Sequence, residues 1–478
     1  MNAPLRRVAI SVFVLFTLLI INANYIQVVR SDELRTDSGN TRVLVAEYGR
    51  ERGAIVVSGN EIARSVPTDD WLEYLREYPE GPAYAAITGH YSVIYGSTRM
   101  EDAENEVLAG NDPRLTFRRL SDLLTGRDPS GGDVLLTLDP VVQKTSMAAL
   151  EGVTGAVVAL NPETGAVLGL ASTPTYDPNK LSSHDPAAIR AYAEELEGRE
   201  RNPLANQAIG ERYPPGSVFK VIVSAAALED GATPETVVDA PDVLTLPNTR
   251  TELENFGGSA CAPGEEQSLI DALTVSCNTA FAQLGIDLGE DRIRETAEAF
   301  GMDGEEMEIP LEVASSGVGD IGDDAALGVS SIGQQDVVMT PLQAAMVAAA
   351  VANDGELMQP YMVDQVRAPD LTVIDQTEPE VKSEAVSGEV AEQLTEMMLS
   401  VVENGSGQAA QIPGVQVAGK TGTAENAGAD HNWFVGFAPA DDPKIAVAVF
   451  IANGGGTGGE LSAPIARDVI AAYLERGS

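Results

Sequence analysis

Three short motifs carry side chains able to do acyl-transfer chemistry. In Tyr213-Pro-Pro-Gly-Ser-Val-Phe-Lys220 a Pro/Gly loop ends on a serine, and a lysine follows three residues later. The next run, Val221-Ile-Val-Ser-Ala-Ala-Ala-Leu228, is apolar nearly all round, which predicts a buried helix starting near Ser217. Ser217 and Lys220 then share one helix face. A buried lysine is costly as a cation, and burial or a second cation nearby drives it toward the neutral amine. A neutral amine can take the hydroxyl proton of Ser217 and make the oxygen a nucleophile. Ser276-Cys277-Asn278 begins 59 residues after Ser217. It offers a hydroxyl to shuttle protons and an amide to hold a substrate amide. Gly419-Lys-Thr-Gly-Thr423 puts Lys420 a further 144 residues on. On a strand, period two sets Thr421 and Thr423 on one face, and a lysine with two hydroxyls suits a carboxylate. Gly422 leaves room for a ligand along the strand, whose edge N–H groups could form an oxyanion hole. Each motif alone has a plainer reading: a snorkelling lysine beside an N-cap serine, an Asn/Ser turn, a charged edge strand.

The elements that must position these residues are legible around them. Thr154-Gly-Ala-Val-Val-Ala-Leu160 and Ala166-Val-Leu-Gly-Leu-Ala171 flank Asn161-Pro-Glu-Thr-Gly165 and read as a β-hairpin. A long, mostly helical middle follows. It includes a helix with Thr340 as N-cap and Pro341 at its first position. Three strand-like runs come late, Val415–Ala424, Trp433–Ala438 and Ile445–Ala452, before a final helix over Ala463–Leu474. This is an α+β pattern: one antiparallel five-stranded sheet built from both ends of the domain, with a helical insert and a cleft between them. Upstream, Arg42–Ala46 and Gly53–Val57 look like strands and Met100–Ala109 like an acidic helix. Asp128-Pro-Ser-Gly-Gly-Asp133 reads as a linker. The expected division is 1–30 as tip and anchor, 31–133 as a small mainly β pedestal, and 134–478 as the catalytic domain.

Composition narrows the class. Of 478 residues, 30 are Lys or Arg and 72 Asp or Glu, for a net charge of −42. Such a surface repels phosphate backbones, so nucleic-acid binding is not expected, and it suits a salty exterior. With 44% hydrophobic and 21% charged residues the chain should fold into globular domains. Two cysteines make no four-thiolate zinc site. His90, His184 and His431 lie far apart and have no metal-ligand spacing. Between Arg7 and Arg30 lie 22 uncharged residues, enough to cross a bilayer. Arg6 and Arg7 ahead of them favour a cytoplasmic N-terminus and an exported remainder. A cleaved signal peptide is the alternative, since Asn22 and Asn24 weaken the distal half, but no small-x-small cleavage site follows.

The ordered set Ser-x-x-Lys, Ser-x-Asn, Lys-Thr-Gly resembles that of penicillin-binding proteins and serine β-lactamases. Nearly the whole chain is similar to class B penicillin-binding proteins, most of all to their short actinobacterial type. Arg52-Gly-Ala-Ile55 resembles the entry to the family's pedestal, or dimerisation, region. Tyr84–Gly96 resembles the subgroup's pedestal, and Leu136-Thr-Leu-Asp139 with Gln143 the entry to its transpeptidase domain. Ser331-Ile-Gly-Gln334, Thr340-Pro-Leu-Gln343 and Trp433–Pro439 also fit. The resemblance implies a membrane-anchored, cofactor-free D,D-transpeptidase that cross-links peptidoglycan stem peptides. Ser217 would attack the D-Ala-D-Ala carbonyl, with Lys220 as general base. Ser276 would relay the proton to the leaving amine with help from Lys420, and Asn278 would hold the donor amide. Thr421 and Thr423, beside Gly422, would bind the terminal carboxylate, and the N–H groups of Ser217 and Thr423 would form the oxyanion hole. β-Lactams would acylate Ser217. The implied location is the plasma membrane, single-pass, with the catalytic domain outside and division or elongation complexes as further partners.

Two readings compete. A serine β-lactamase shares the motifs but is normally released, and no Glu-x-x-Leu-Asn stretch lies between Asn278 and Lys420. A non-catalytic sensor or scaffold would need an output module, which seven residues before the anchor cannot hold, or would usually lack one of Ser217, Lys220 or Lys420. Cys261 and Cys277, on the exported side, are either bridged or two buried thiols.

Overall fold

The computed structural model describes residues 2–30, 47–115, 130–304 and 307–476. Its centre is a five-stranded antiparallel sheet in the order Ala418–Ala424, His431–Ala438, Ile445–Ile451, Gly155–Leu160, Val167–Thr173. The early hairpin and the three late strands thus join as the sequence pattern predicts. Apolar residues fill the three inner strands because both faces are covered. Ala156, Val158 and Leu160 face one core with the helices Lys220–Glu229 and Pro341–Ala352, while Val157 and Ala159 face another with the last helix. The Pro341–Ala352 helix is buried at nearly every position, and the Thr340 hydroxyl caps it by accepting from Gln343 N–H.

The edge strand Val167–Thr173 is closed by a side chain. The Gln143 amide donates to Leu170 O at 3.0 Å and accepts from Leu170 N at 2.9 Å, replacing a strand neighbour. The opposite edge is the strand of Lys420, Ala418–Ala424. The last helix runs over Gly458–Glu475, five residues earlier than the apolar pattern suggests. A capping box sets its start: Thr457 Oγ1 accepts from Glu460 N, and Glu460 Oε2 accepts from Thr457 N.

A second, six-stranded sheet joins the N-terminal region to the rest. Its order is Val373–Gln376, Val363–Arg367, Asp133–Leu136, Ile55–Val57, Asn60–Pro67, Tyr74–Glu77. Asp133–Leu136 lies parallel to Ile55–Val57 and antiparallel to Val363–Arg367, so the expected boundary at 133 falls on a strand shared by both parts. The described part of the expected linker is close-packed. Gly131 N donates to Glu51 O at 2.9 Å, and a Cβ on Gly131 would come within 1.8 Å of Leu108 O. The expected acidic helix is two short turns, Met100–Ala103 and Asn105–Leu108. Arg42–Ala46 lies outside the described residues.

Arg52 and Arg76 both close on Glu101, at 2.6 Å each, and all three are buried. Tyr78 Oη adds a hydrogen bond at 3.0 Å. Burial alone would raise the Glu101 pKa, but the two guanidiniums, Arg76 foremost, hold it below the ordinary carboxylate value. At the N-terminus, Asn2–Asn24 is a helix that continues through a π-helical turn at Tyr25–Val29. Pro4–Gln27 is long and apolar enough to cross a membrane. Asn24, which weakens this span as sequence, donates its amide back to Ile20 O.

Candidate active site

Ser217 sits in a 3-10 turn, Gly216–Val218, that leads into the buried helix Lys220–Glu229. The turn is clamped on two sides. Gly216 adopts φ +53° and donates to Gly333 O at 2.9 Å; a Cβ on it would lie 2.5 Å from Thr423 O. Gly333 belongs to the Ser331-Ile-Gly-Gln334 run. Ser217 itself is half-buried, whereas Lys220 is fully buried.

Lys220 Nζ donates to Ser276 O at 2.7 Å and Asn278 Oδ1 at 2.8 Å, with Ser276 Oγ at 3.4 Å. The Phe281 ring lies 5.5 Å away as an apolar neighbour. All these acceptors are neutral, so no carboxylate holds the ammonium form. Burial pushes the Lys220 pKa well below that of a free lysine, and the Lys420 charge pushes it the same way.

Lys420 is fully buried on the Ala418–Ala424 strand, where it donates to Ser276 Oγ at 2.8 Å and Thr421 O at 3.0 Å. Burial brings its pKa down to about 7. Ser276 meets both lysines because it ends the helix Leu269–Val275 in the left-handed conformation, φ 62° and ψ 44°. That geometry costs a non-glycine residue roughly 1 kcal/mol. It turns the Ser276 carbonyl onto Lys220 and the hydroxyl onto Lys420.

Asn278 opens the next helix, Asn278–Leu288. On the Lys420 strand, Thr421 Oγ1 lies 2.6 Å from Ser406 Oγ, and Thr423 Oγ1 accepts from Gly458 N–H at 3.3 Å. With that lone pair engaged, the Thr423 proton is free to point elsewhere. Gly422 departs from expectation. A Cβ there would lie 2.8 Å from Pro215 O and 3.0 Å from Val218 Cγ2, so its missing side chain admits the Ser217 turn rather than a ligand. Trp433 Nε1 fastens the same loop at Pro214 O, 3.0 Å away.

Cys261 and Cys277 form a disulfide with Cα atoms 5.7 Å apart. It ties the Ser276–Asn278 segment to the loop after the Glu252–Glu254 strand. The structure therefore brings Lys220, Ser276, Asn278 and Lys420 into one hydrogen-bonded cluster, with Ser217, Thr421 and Thr423 on the elements around it. Sequence reasoning missed Asn255, whose side chain accepts from the N–H groups of Asn278 and Thr279, and Ser406 beside Thr421. Asn255 belongs to none of the three motifs, so the sequence gives it no distinguishing signal.

Known proteins are similar to this chain over its whole length. Residues 155–471 match the penicillin binding protein transpeptidase domain, and residues 52–134 the penicillin binding protein A dimerisation domain. The chain is 50% identical to the peptidoglycan D,D-transpeptidase PbpA of Mycolicibacterium smegmatis, covering 100% of both. It is 48% identical to the protein of the same name from Mycobacterium tuberculosis, covering 99% of each. Among solved structures, penicillin-binding protein A from M. tuberculosis as a ceftriaxone acyl-enzyme superposes with a TM-score of 0.88 at 47% identity, over 90% of this chain and 100% of that one. Its penicillin G acyl-enzyme gives 0.86 at 47% identity, over 89% and 100%. With its motifs, fold and full-length relatives in agreement, the chain belongs to the penicillin-binding protein transpeptidase family.

Proposed function

We propose that this protein is a membrane-anchored peptidoglycan D,D-transpeptidase working through a serine acyl-enzyme. Ser217 Oγ attacks the carbonyl between the two D-alanines of a donor stem peptide while Lys220 accepts its proton. The new oxyanion is held by the N–H groups of Ser217 and Thr423. Ser276, between the two lysines, passes a proton to the departing nitrogen as the C–N bond breaks, and D-alanine leaves. Asn278 holds the donor amide, and Lys420, Thr421 and Thr423 receive the terminal carboxylate. An amine from a second stem peptide then takes the acyl group and frees Ser217. β-Lactams enter by the same attack and stay bound. The observation that carries this reading is Ser276 in contact with two buried lysines whose pKa values are both depressed.

The division into anchor, pedestal (31–133) and catalytic domain (134–478) belongs to this reading. So does a plasma-membrane location with the catalytic domain outside, supported by the N-terminal apolar helix and Arg6 and Arg7 before it. Proteins of the division or elongation machinery are the partners proposed for the pedestal. The test is incubation of the protein with a D-Ala-D-Ala stem peptide, with and without an acceptor amine. Release of D-alanine with a cross-linked product is expected. A penicillin adduct that clears within seconds while the drug is consumed would instead make the protein a β-lactamase.

A further inference from the structure

The helix that presents Asn278 cannot cap itself. Its N-cap residue is Cys277, which makes no side-chain cap because its sulfur is in the disulfide. The first N–H groups of a helix need acceptors, and a buried start without them is costly. Here the acceptor comes from another loop. Asn255 Oδ1 accepts from Asn278 N at 2.9 Å, Thr279 N at 3.1 Å and Thr279 Oγ1 at 3.3 Å. Asn255 is buried, and its Nδ2 has no hydrogen-bond partner among the described residues. Only the oxygen is in use.

The grip reaches the Asn278 side chain as well. Glu254 O accepts from Asn278 Nδ2 at 3.4 Å, which leaves Asn278 Oδ1 turned toward Lys220 Nζ at 2.8 Å. Residues 254 and 255 thus fix both the backbone and the amide orientation of Asn278, and through it one of the acceptors of Lys220. The same loop is pinned again six residues later at Cys261.

We propose that Asn255 is a positioning residue for acylation, a remote helix cap that sets Asn278 against Lys220. The proposal rests on the assignment of Ser217 and Lys220 as nucleophile and base. Its effect falls on acylation as a whole, because Asn278 both accepts from the base and holds the donor amide. Aspartate should serve as well as asparagine: it keeps the accepting oxygen, gives up only the unpartnered amide nitrogen, and carries the charge a helix N-terminus favours.

The full-length chain in detergent, with a fluorescent penicillin as probe, separates the outcomes. Wild-type labelling at Ser217 must be seen first; its absence overturns the functional reading and not this one alone. Asn255→Ala should lower the second-order rate constant for acylation at least tenfold. Asn255→Asp should return to within threefold of wild type. Adding Asn255→Ala to Asn278→Ala should cost nothing further, since the two act through one contact. An Asn255→Ala rate equal to wild type, a folded Asn255→Asp protein that acylates at least tenfold more slowly than wild type, or fully additive losses in the double variant would each overturn the proposal.

Discussion

Lys220 and Lys420 share one acceptor: the Ser276 hydroxyl oxygen lies 3.4 Å from the first Nζ and 2.8 Å from the second. Two ammonium groups cannot both sit comfortably against one neutral hydroxyl in a buried site. The arrangement therefore favours at least one free amine near neutrality, which a serine without a histidine partner needs.

The pH dependence of acylation should report this coupling. A lowered lysine pKa means that the free base survives to lower pH, and the base is lost as pH falls through the folded pKa. Burial lowers the pKa of Lys220 first, and the Lys420 charge adds to it. Lys420→Gln removes that charge, so the Lys220 pKa should rise and the acid limb of the acylation profile should move to higher pH. Penicillin acylation rates between pH 5 and 9 would show it. An unmoved limb would mean that the two lysines do not sense each other.

Ser217→Ala should abolish covalent penicillin labelling, read by intact-mass spectrometry. Lys220→Arg should slow acylation at least about 100-fold, the scale of a lost general base, because a guanidinium stays protonated. Labelling of the alanine variant would remove Ser217 as nucleophile. An arginine variant within tenfold of wild type would reduce Lys220 to a structural role.

The motifs announced this site because each residue type stands on the element its chemistry needs. The Pro/Gly loop before Ser217, the apolar run after it and the alternation around Lys420 are local patterns, and local patterns survive in a sequence. The five-stranded sheet was legible for the same reason, as a hairpin and three β-rich runs. What was not legible depends on distant approach. The acceptor for Asn278 comes from Asn255, and Thr421 meets Ser406 only through the fold. Asp133 reads as the end of a linker, although it opens the strand Asp133–Leu136, whose partners are Ile55–Val57 and Val363–Arg367. The early start of the last helix was visible as Thr457-Gly-Gly-Glu460, but glycines at its first two positions hid it from a search for apolar periodicity.

In the N-terminal region, Glu101 compensates two buried guanidiniums. Glu101→Gln would leave both without a counter-charge and should destabilise this region by about 3–5 kcal/mol, the cost of breaking a buried pair. Thermal unfolding followed at Trp71, the tryptophan of the N-terminal region, against penicillin labelling would show the N-terminal part loosening first. A variant that melts like wild type would mean that water reaches the arginines.

The Cys261–Cys277 bridge closes a loop with a sequence separation of 16 and holds the segment that carries Ser276 and Asn278. In the chain-entropy account, a loop of this size stabilises the fold by about 3 kcal/mol. Its position adds a second effect. Cys277 is buried between the two site residues, and Cys261 lies six residues beyond Asn255. Freeing the bridge therefore loosens the loop whose carboxamide caps the Asn278 helix. Reduction, or the Cys261→Ser/Cys277→Ser double variant, should lower the melting temperature and slow penicillin acylation at least threefold, with Ser217 still labelled at long times. Combining the double variant with Asn255→Ala should give less than the product of the separate losses in rate, because both act on one loop. Peptide mapping of the protein isolated from its native membrane without reductant tests the bridge itself, and two free thiols there would end the argument. A bridge whose removal lowers stability but leaves the acylation rate unchanged would confine it to holding the fold, with Asn255 alone placing Asn278.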